Sequence, residues 1–234
     1  MYQIFVYFKM WNSFMHILFP RVCITCGEVL LKEERHLCLT CFSGLPQFLY
    51  PAESYVICES LQGKIPFQSA FSWLKFNKGG HVQDLLHQIK YGGDVLPAQW
   101  AGRQMAAYWQ GSGLRRDLDF LVPVPIHPRK RRARGYNQSE EIAKGFSEVS
   151  GVGILEHALD RTIHSSSNTL SNRWERAEKM KEVFSANAFN DLTGRRIGLI
   201  DDVLTTGATI EACAKILWEK GISELNVLTL ARTV

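Results

Sequence analysis

The chain has 234 residues, 46% of them hydrophobic and 21% charged, with a formal net charge of +4. That length accommodates one ordinary α/β domain plus a small accessory module. The composition excludes a disordered chain, and the mild positive charge is too small to establish a nucleic-acid partner by itself.

Residues 1–22 are aromatic and apolar, but Lys9, Asn12 and His16 interrupt them before any bilayer-spanning length is reached. No basic start or small-residue cleavage site marks a signal peptide. The expectation is an amphipathic helix packed on the main body, or a start codon placed too early with Met10 as the true one. A module over 23–60 follows, with Cys23-x2-Cys26 and then Cys38-x2-Cys41. Two such turns supply four thiolates in tetrahedral array, a closed structural zinc site with no open position for catalysis. Two disulfides are the alternative, and they need an oxidising compartment that nothing else in the chain supports. Cys58 and Cys213 stand alone, and Cys213 reads as core. Gly44, Pro46, Pro51, Gly63 and Pro66 mark residues 44–66 as a linker.

From residue 61 to 234 the pattern alternates between strand and helix. Residues 70–76 read as a strand. Val82, Leu85, Leu86 and Ile89 recur at helical spacing up to Lys90-Tyr91-Gly92-Gly93, and a second helix covers 96–109. Residues 120–125 give a short strand running into a proline-stiffened loop. Ile142, Phe146 and Val149 mark another helix. Repeated βα units indicate a largely parallel sheet flanked by helices, with ligands at the C-terminal ends of its strands.

Two stretches carry chemistry. The loop after residue 122, VPVPIHPRKRRARGYNQS, holds a basic run, Arg129, Lys130, Arg131, Arg132 and Arg134, able to contact phosphates of any origin. Pro125 stiffens the backbone beyond a strand end, where a diphosphate could be gripped. Arg134 offers a bidentate phosphate contact, and Tyr136, Asn137 and Gln138 add polar groups. The second stretch, IGLIDDVLTTGATI, runs from a buried strand at 197–200 through Asp201 and Asp202 into Leu204, Thr205, Thr206, Gly207, Ala208 and Thr209. It then opens a helix marked by Ile210, Ala214 and Leu217. Free amides and the dipole at a helix start hold phosphate, and Gly207 lets backbone approach a ligand closely. The carboxylates repel phosphate and suit ribose hydroxyls or a bound Mg²⁺. A plain capped turn would need one such residue, not the whole set. No P-loop or complete dinucleotide fingerprint competes.

The acidic pair followed by T-T-G-x-T resembles the phosphoribosyl pyrophosphate loop of type I phosphoribosyltransferases. Together with the four cysteines, Ile89-Lys90-Tyr91, V-P-V-P-x-H-P and R-G-Y-N-Q-S, it makes residues 18–234 resemble the ComF/GntX family of phosphoribosyltransferase-like proteins. The resemblance implies a type I phosphoribosyltransferase fold with an N-terminal four-cysteine zinc module. It implies phosphoribosyl pyrophosphate bound with Mg²⁺ on residues 204–209, Asp201, Asp202, Lys90, Pro125 and Arg134, and a cytoplasmic role linked to DNA uptake. Tyr136, Asn137, Gln138, Asn168 and Arg176 are the acceptor-side or flexible-loop positions. Family members carry Gln where this chain has Asn168, and an amide where it has Lys179. Transfer of the phosphoribosyl group to an unknown acceptor competes with a non-catalytic role in binding single-stranded DNA or docking an uptake protein. For DNA, Trp73, Trp100, Trp109 and Tyr136 are candidate stacking surfaces, although aromatics at such spacings usually belong to a core.

Overall fold

Parallel strands buried on both faces read as near-continuous apolar runs, and three segments of this chain do so. In the computed structural model, which describes residues 19–50, 52–53, 59–161, 184–187 and 191–234, they become β1 (Ser69–Phe76), β6 (Arg196–Leu204) and β7 (Glu224–Thr233). The chain divides into two compact units, Met1–Leu45 and Pro46–Val234.

The described part of the first unit holds one short helix, α1 (Leu39–Ser43), capped by Cys38, and an antiparallel bridge between Val22 and Val29 around the first cysteine pair. Gly27 closes that turn at φ 76°, a conformation open to glycine at little cost. Glu34 accepts from the amides of Leu31 and Leu39, both at 2.7 Å, and so ties the two cysteine turns together.

In the second unit the elements run β1, α2 (His81–Tyr91), α3 (Leu96–Gly111), β2 (Phe120–Pro123), α4 (Pro128–Arg134), α5 (Gln138–Ser150), β3 (Gly153–Ile154), β4 (Leu159–Arg161), β5 (Phe184–Ala186), β6, α6 (Ala208–Glu219) and β7. Five strands form one sheet in the order β1-β7-β6-β2-β3, every neighbouring pair parallel. β4 and β5 form a separate antiparallel ribbon. Polar side chains inside the sheet find partners across strands: Ser69 donates to Asn226 at 2.7 Å, and Ser72 pairs with Thr229.

On one face α3 and α5 cross at backbone contact distance. A Cβ on Gly102 would lie 2.1 Å from the Ile142 carbonyl oxygen, and one on Gly145 would lie 1.8 Å from that of Gln99. Only glycine fits at either point, and Trp109 packs beside Phe146 to seal the crossing. On the other face Ile210, Cys213, Ala214 and Leu217 of α6 pack on Ile197, Leu199 and Val227. Cys213 is thus core, as its spacing indicated.

From β2 the chain winds toward β3 at one edge, and from β6 it winds toward β7 on the opposite side. The strand order therefore reverses between β2 and β6. Beyond the carboxyl ends of that pair an open parallel sheet has its ligand crevice.

Several elements differ from expectation. β6 runs on from Ile200 to Leu204, so both aspartates lie inside a strand whose last residues outreach β2. The basic run is a helix, α4: Pro128 starts it, His127 Nδ1 accepts from the Arg129 amide at 3.1 Å, and Gly135 ends it at φ 88°. Val149 is exposed and takes no part in the core. Within 44–66, Gln47 bridges to Leu74 while Phe48, Leu61 and Ile65 are buried, so apolar anchors hold this glycine- and proline-rich stretch on the sheet. The apolar segment before residue 19 and Cys58 lie outside the described residues. Among the described residues no helix is long and apolar enough to cross a membrane.

Candidate functional site

The end of β6 buries two consecutive carboxylates, Asp201 and Asp202, at 7% and 6% exposure. Adjacent like charges out of water demand compensation, and two helices supply it. Ser139, in the first turn of α5, donates its hydroxyl to Asp201 Oδ1 at 2.8 Å, and the Asp202 amide donates to the same oxygen at 2.9 Å. Lys90, in the last turn of α2, places Nζ 2.9 Å from Asp202 Oδ2. Burial, with the Asp202 charge second, pushes the Asp201 carboxyl up to about 7. The pair therefore holds one carboxylate tied to Lys90 and one acid poised near neutrality.

The 205–209 turn follows directly. Gly207 caps α6 at φ 80°, where a Cβ would lie 2.9 Å from Leu61 Cδ2. The first amides of α6 have no intrahelical acceptor and point out of its N-terminus. A strap from residues 60–64 braces the turn from behind: Lys64 Nζ donates to the carbonyls of Ser60 and Thr206, each at 2.7 Å. In a planar trans peptide C=O and N–H point to opposite sides, so a fixed Thr206 carbonyl also fixes the Gly207 amide.

Lys90, Pro125, Arg134, Gln138, Asp201, Asp202, Thr205 and Thr209, distant in sequence, line one cleft of about 580 Å³. Leu204 is instead core, at 1% exposure, where it anchors the strand end. Thr206, Gly207 and Ala208 complete the turn between Thr205 and Thr209, both of which line the cleft.

Two positions assigned to acceptor contact point inward. Tyr136 donates to the carbonyl oxygens of Ile89 at 2.6 Å and Asp94 at 3.1 Å, which pins α2. Asn137 caps α5 and donates to the Val124 carbonyl at 3.0 Å, which pins the loop after β2. Both are satisfied positioning groups. Gln138 remains in the cleft and accepts from Arg134. Asn168 and Arg176 lie outside the described residues.

The basic run divides by direction. Arg131 is held by buried Glu140 through two hydrogen bonds, at 3.1 and 3.2 Å. Lys130 and Arg134 face the cleft, whereas Arg129 and Arg132 are exposed. Trp73, Trp100, Trp109 and Tyr136 are all buried, which removes them as stacking surfaces for nucleic acid. The cleft also gathers Phe76, Gln83, His87 and Arg161, which sequence reasoning missed. Gln83 and His87 lie one turn apart on the same helix as Lys90, a periodicity that could have found them. Arg161 and Lys64 carried no such signal.

In the first unit the sulfurs of Cys23, Cys26, Cys38 and Cys41 lie within 4.8 Å of one another, with Cys26 and Cys38 Sγ at 3.7 Å, and all four are free thiols. A tetrahedral ion with bonds of about 2.3 Å to sulfur spaces its ligands by about 3.8 Å. The Cys38 and Cys41 amides donate to the sulfurs of Cys23 and Cys38, each at 3.4 Å, the backbone hydrogen bonding that steadies a thiolate cluster. These residues fit a four-coordinate thiophilic cation.

No protein-family model matches the chain. Among curated proteins it is 32% identical over 115 residues to Competence protein F of Haemophilus influenzae, a match spanning 49% of this chain and half of that one. It is 27% identical to Competence protein ComFC of Bacillus subtilis, over 91% of this chain and 85% of the relative. DNA utilization protein YhgH of Escherichia coli is 25% identical over 91% of each. Solved structures with a similar arrangement include the allosteric regulatory enzyme of purine biosynthesis, at 16% identity and TM-score 0.43, covering 61% of this chain but only 29% of that one. The purine phosphoribosyltransferase of Pyrococcus horikoshii reaches 18% identity and TM-score 0.36 over 56% of this chain and 70% of its own. Likeness at these scores carries no weight in the reading of the site, which rests on the chain's own residues.

Asp201 gives the site a pH signature. The unfolded chain releases this proton near the ordinary carboxylate value of about 3.9, whereas the folded protein keeps it to about 7. The folded state binds more protons across that window, so ligand-free stability is full below it and falls as pH rises through it. Asp201→Asn, which imitates the protonated acid, is expected to melt at a higher temperature than the unsubstituted protein at about pH 8 and to show a shallower dependence between about pH 4 and pH 7. Melting curves across that range measure both, and identical slopes for the two proteins would contradict the linkage.

Proposed function

The chain belongs to the ComF family of phosphoribosyltransferase-like proteins, and on that premise we propose that its cleft binds phosphoribosyl pyrophosphate with Mg²⁺. One observation carries the reading. The acidic pair ending β6 and the hydroxyl-rich turn opening α6 share a single cleft at the point where the strand order reverses. The amides of residues 206–209 take the 5′-phosphate, supported by the α6 dipole. Asp201 and Asp202 receive the ribose hydroxyls and are the groups that would hold Mg²⁺. Oxygen donors are what this ion selects, and Mg²⁺ would supply positive charge beside the diphosphate. Lys90, freed from Asp202 when that carboxylate turns to ligand, joins Arg134 and the Pro125 loop around the diphosphate.

If transfer occurs, the C1–oxygen bond to diphosphate breaks, a bond from the acceptor to C1 forms, and the acceptor loses its proton. Asp201, poised near neutrality and buried, is a group within the cleft able to exchange a proton, while fixed dipoles and charges supply the rest. The names of the relatives support a role connected with competence and the handling of DNA. On this chain the exposed cations Arg129 and Arg132 of α4 are the surface for a nucleic-acid backbone, and such contact would be steeply salt-dependent. The cysteine cluster is assigned to structural zinc.

Calorimetric titration with phosphoribosyl pyrophosphate tests the cleft. Binding that requires Mg²⁺ and falls about a hundredfold or more in Asp201→Asn/Asp202→Asn supports it, since two charge-assisted contacts are lost. Binding indifferent to both Mg²⁺ and the substitutions would overturn it. For the cysteine cluster, elemental analysis of the purified protein is expected to return one zinc per chain, and its absence from folded protein would contradict the assignment.

A further inference from the structure

Arg161 is a further cation of the cleft, beyond Lys90, Lys130 and Arg134. It ends β4, opposite Phe184 of β5 in the ribbon register, and its guanidinium carbon lies 5.2 Å from the centre of the Phe184 ring. This cation–π contact holds the guanidinium against the ring without using its N–H donors. Nε is buried and has no hydrogen-bond partner among the described residues. Leaving a buried donor of a permanently charged group unpaired is costly, and natural proteins seldom do so without a use for it.

Three carboxylates line the smaller space beside it, and two of them are engaged. Glu140 is held by Arg131 at 3.1 Å, Glu156 lies 3.7 Å from Lys144, and Asp160 is exposed. Arg161, Pro125 and Ile126 line both the main cleft and a neighbouring cavity of about 240 Å³, so the guanidinium stands where the two meet. Lys130 faces the first space and Arg132 the second. These cations register on His127, whose imidazole is held below its ordinary range by burial first and then by Arg161, Arg129, Lys130 and Arg132.

We propose that Arg161 is an anion-binding residue that takes a phosphoryl group where the cleft meets the smaller cavity, separately from the phosphate held by the 205–209 turn. A phosphoryl oxygen accepts from the guanidinium fork that Phe184 holds, and the orphaned donor is satisfied. The choice of a phosphoryl anion rests on the sugar-phosphate reading of the cleft. Two sources share this chemistry: the diphosphate of the phosphoribosyl donor, and a phosphate carried by the acceptor.

The test titrates Arg161→Met and the unsubstituted protein with inorganic diphosphate in Mg²⁺, with ribose 5-phosphate, and with inorganic phosphate after saturation by phosphoribosyl pyrophosphate. Diphosphate affinity falling about tenfold or more, with ribose 5-phosphate affinity within about twofold, assigns Arg161 to the donor. Unchanged diphosphate affinity, with loss of phosphate binding to the saturated protein, assigns it to the acceptor. No change in either overturns the proposal. Arg161→Lys keeps the charge and loses the fork. It is expected to weaken the affected anion by a smaller factor, and it decides the matter alone if the methionine variant does not fold. Unsubstituted protein that binds diphosphate through Arg161 but ignores ribose 5-phosphate would end the sugar-phosphate reading while leaving this one standing.

Discussion

Two carboxylates side by side at a buried strand end are a demand that the surrounding elements must meet. Unit charges about 4 Å apart interact with an energy on the order of 4 kcal/mol at an effective dielectric of about 20, and burial adds a further cost. The fold answers with one cation and one hydroxyl from different helices. Lys90 reaches Asp202 from the last turn of α2, and Ser139 reaches Asp201 from the first turn of α5. Those two reaches fix where α2 and α5 must sit, and other contacts hold them there. Tyr136 ties the α2 end by its backbone, Asn137 ties the loop after β2, and the glycine crossing of α3 on α5 sets the height of the α5 start. The invariant consequence is a cleft whose floor is acidic and whose rim is basic.

That polarity explains how one cleft can accept both hydroxyls and phosphates. The start of α6 and the cations of α2, α4 and β4 are suited to anions, and the carboxylates between them would exclude phosphate from the floor. A sugar bearing phosphoryl groups at both ends matches this alternation. Without ligand, Lys90 and the Asp201 proton neutralise the floor, and both must be displaced or released when a ligand or cation takes their place. Binding is thereby linked to pH near neutrality.

Much of this was legible in residue order because it is local. The spacing of Val82, Leu85, Leu86 and Ile89 fixes one helix face, and apolar residues flanking D-D and T-T-G-A-T specify a strand, a turn and a helix start. What escaped is what depends on contacts across the chain. Tyr136 and Asn137 sit in a polar string that reads as ligand-binding, yet the carbonyls of Ile89, Asp94 and Val124 claim them. The run from 129 to 134 reads as one basic patch, but helical geometry sends Arg131 to Glu140 and Lys130 and Arg134 to the cleft. Lys64 and Arg161 acquire meaning only through partners 142 residues away in sequence in the first case, and across a ribbon in the second.

The turn opening α6 is the proposed phosphate seat, with the acidic pair beside it facing the sugar. Amide chemical shifts of isotopically labelled protein, followed as ribose 5-phosphate is added, are the measurement that decides it. The largest changes are expected at residues 205–210, with smaller ones at Asp201 and Asp202, and saturation at a single affinity. Changes confined to α4, with the α6 turn unmoved, would mean that the cleft does not bind a sugar phosphate in the way its geometry indicates.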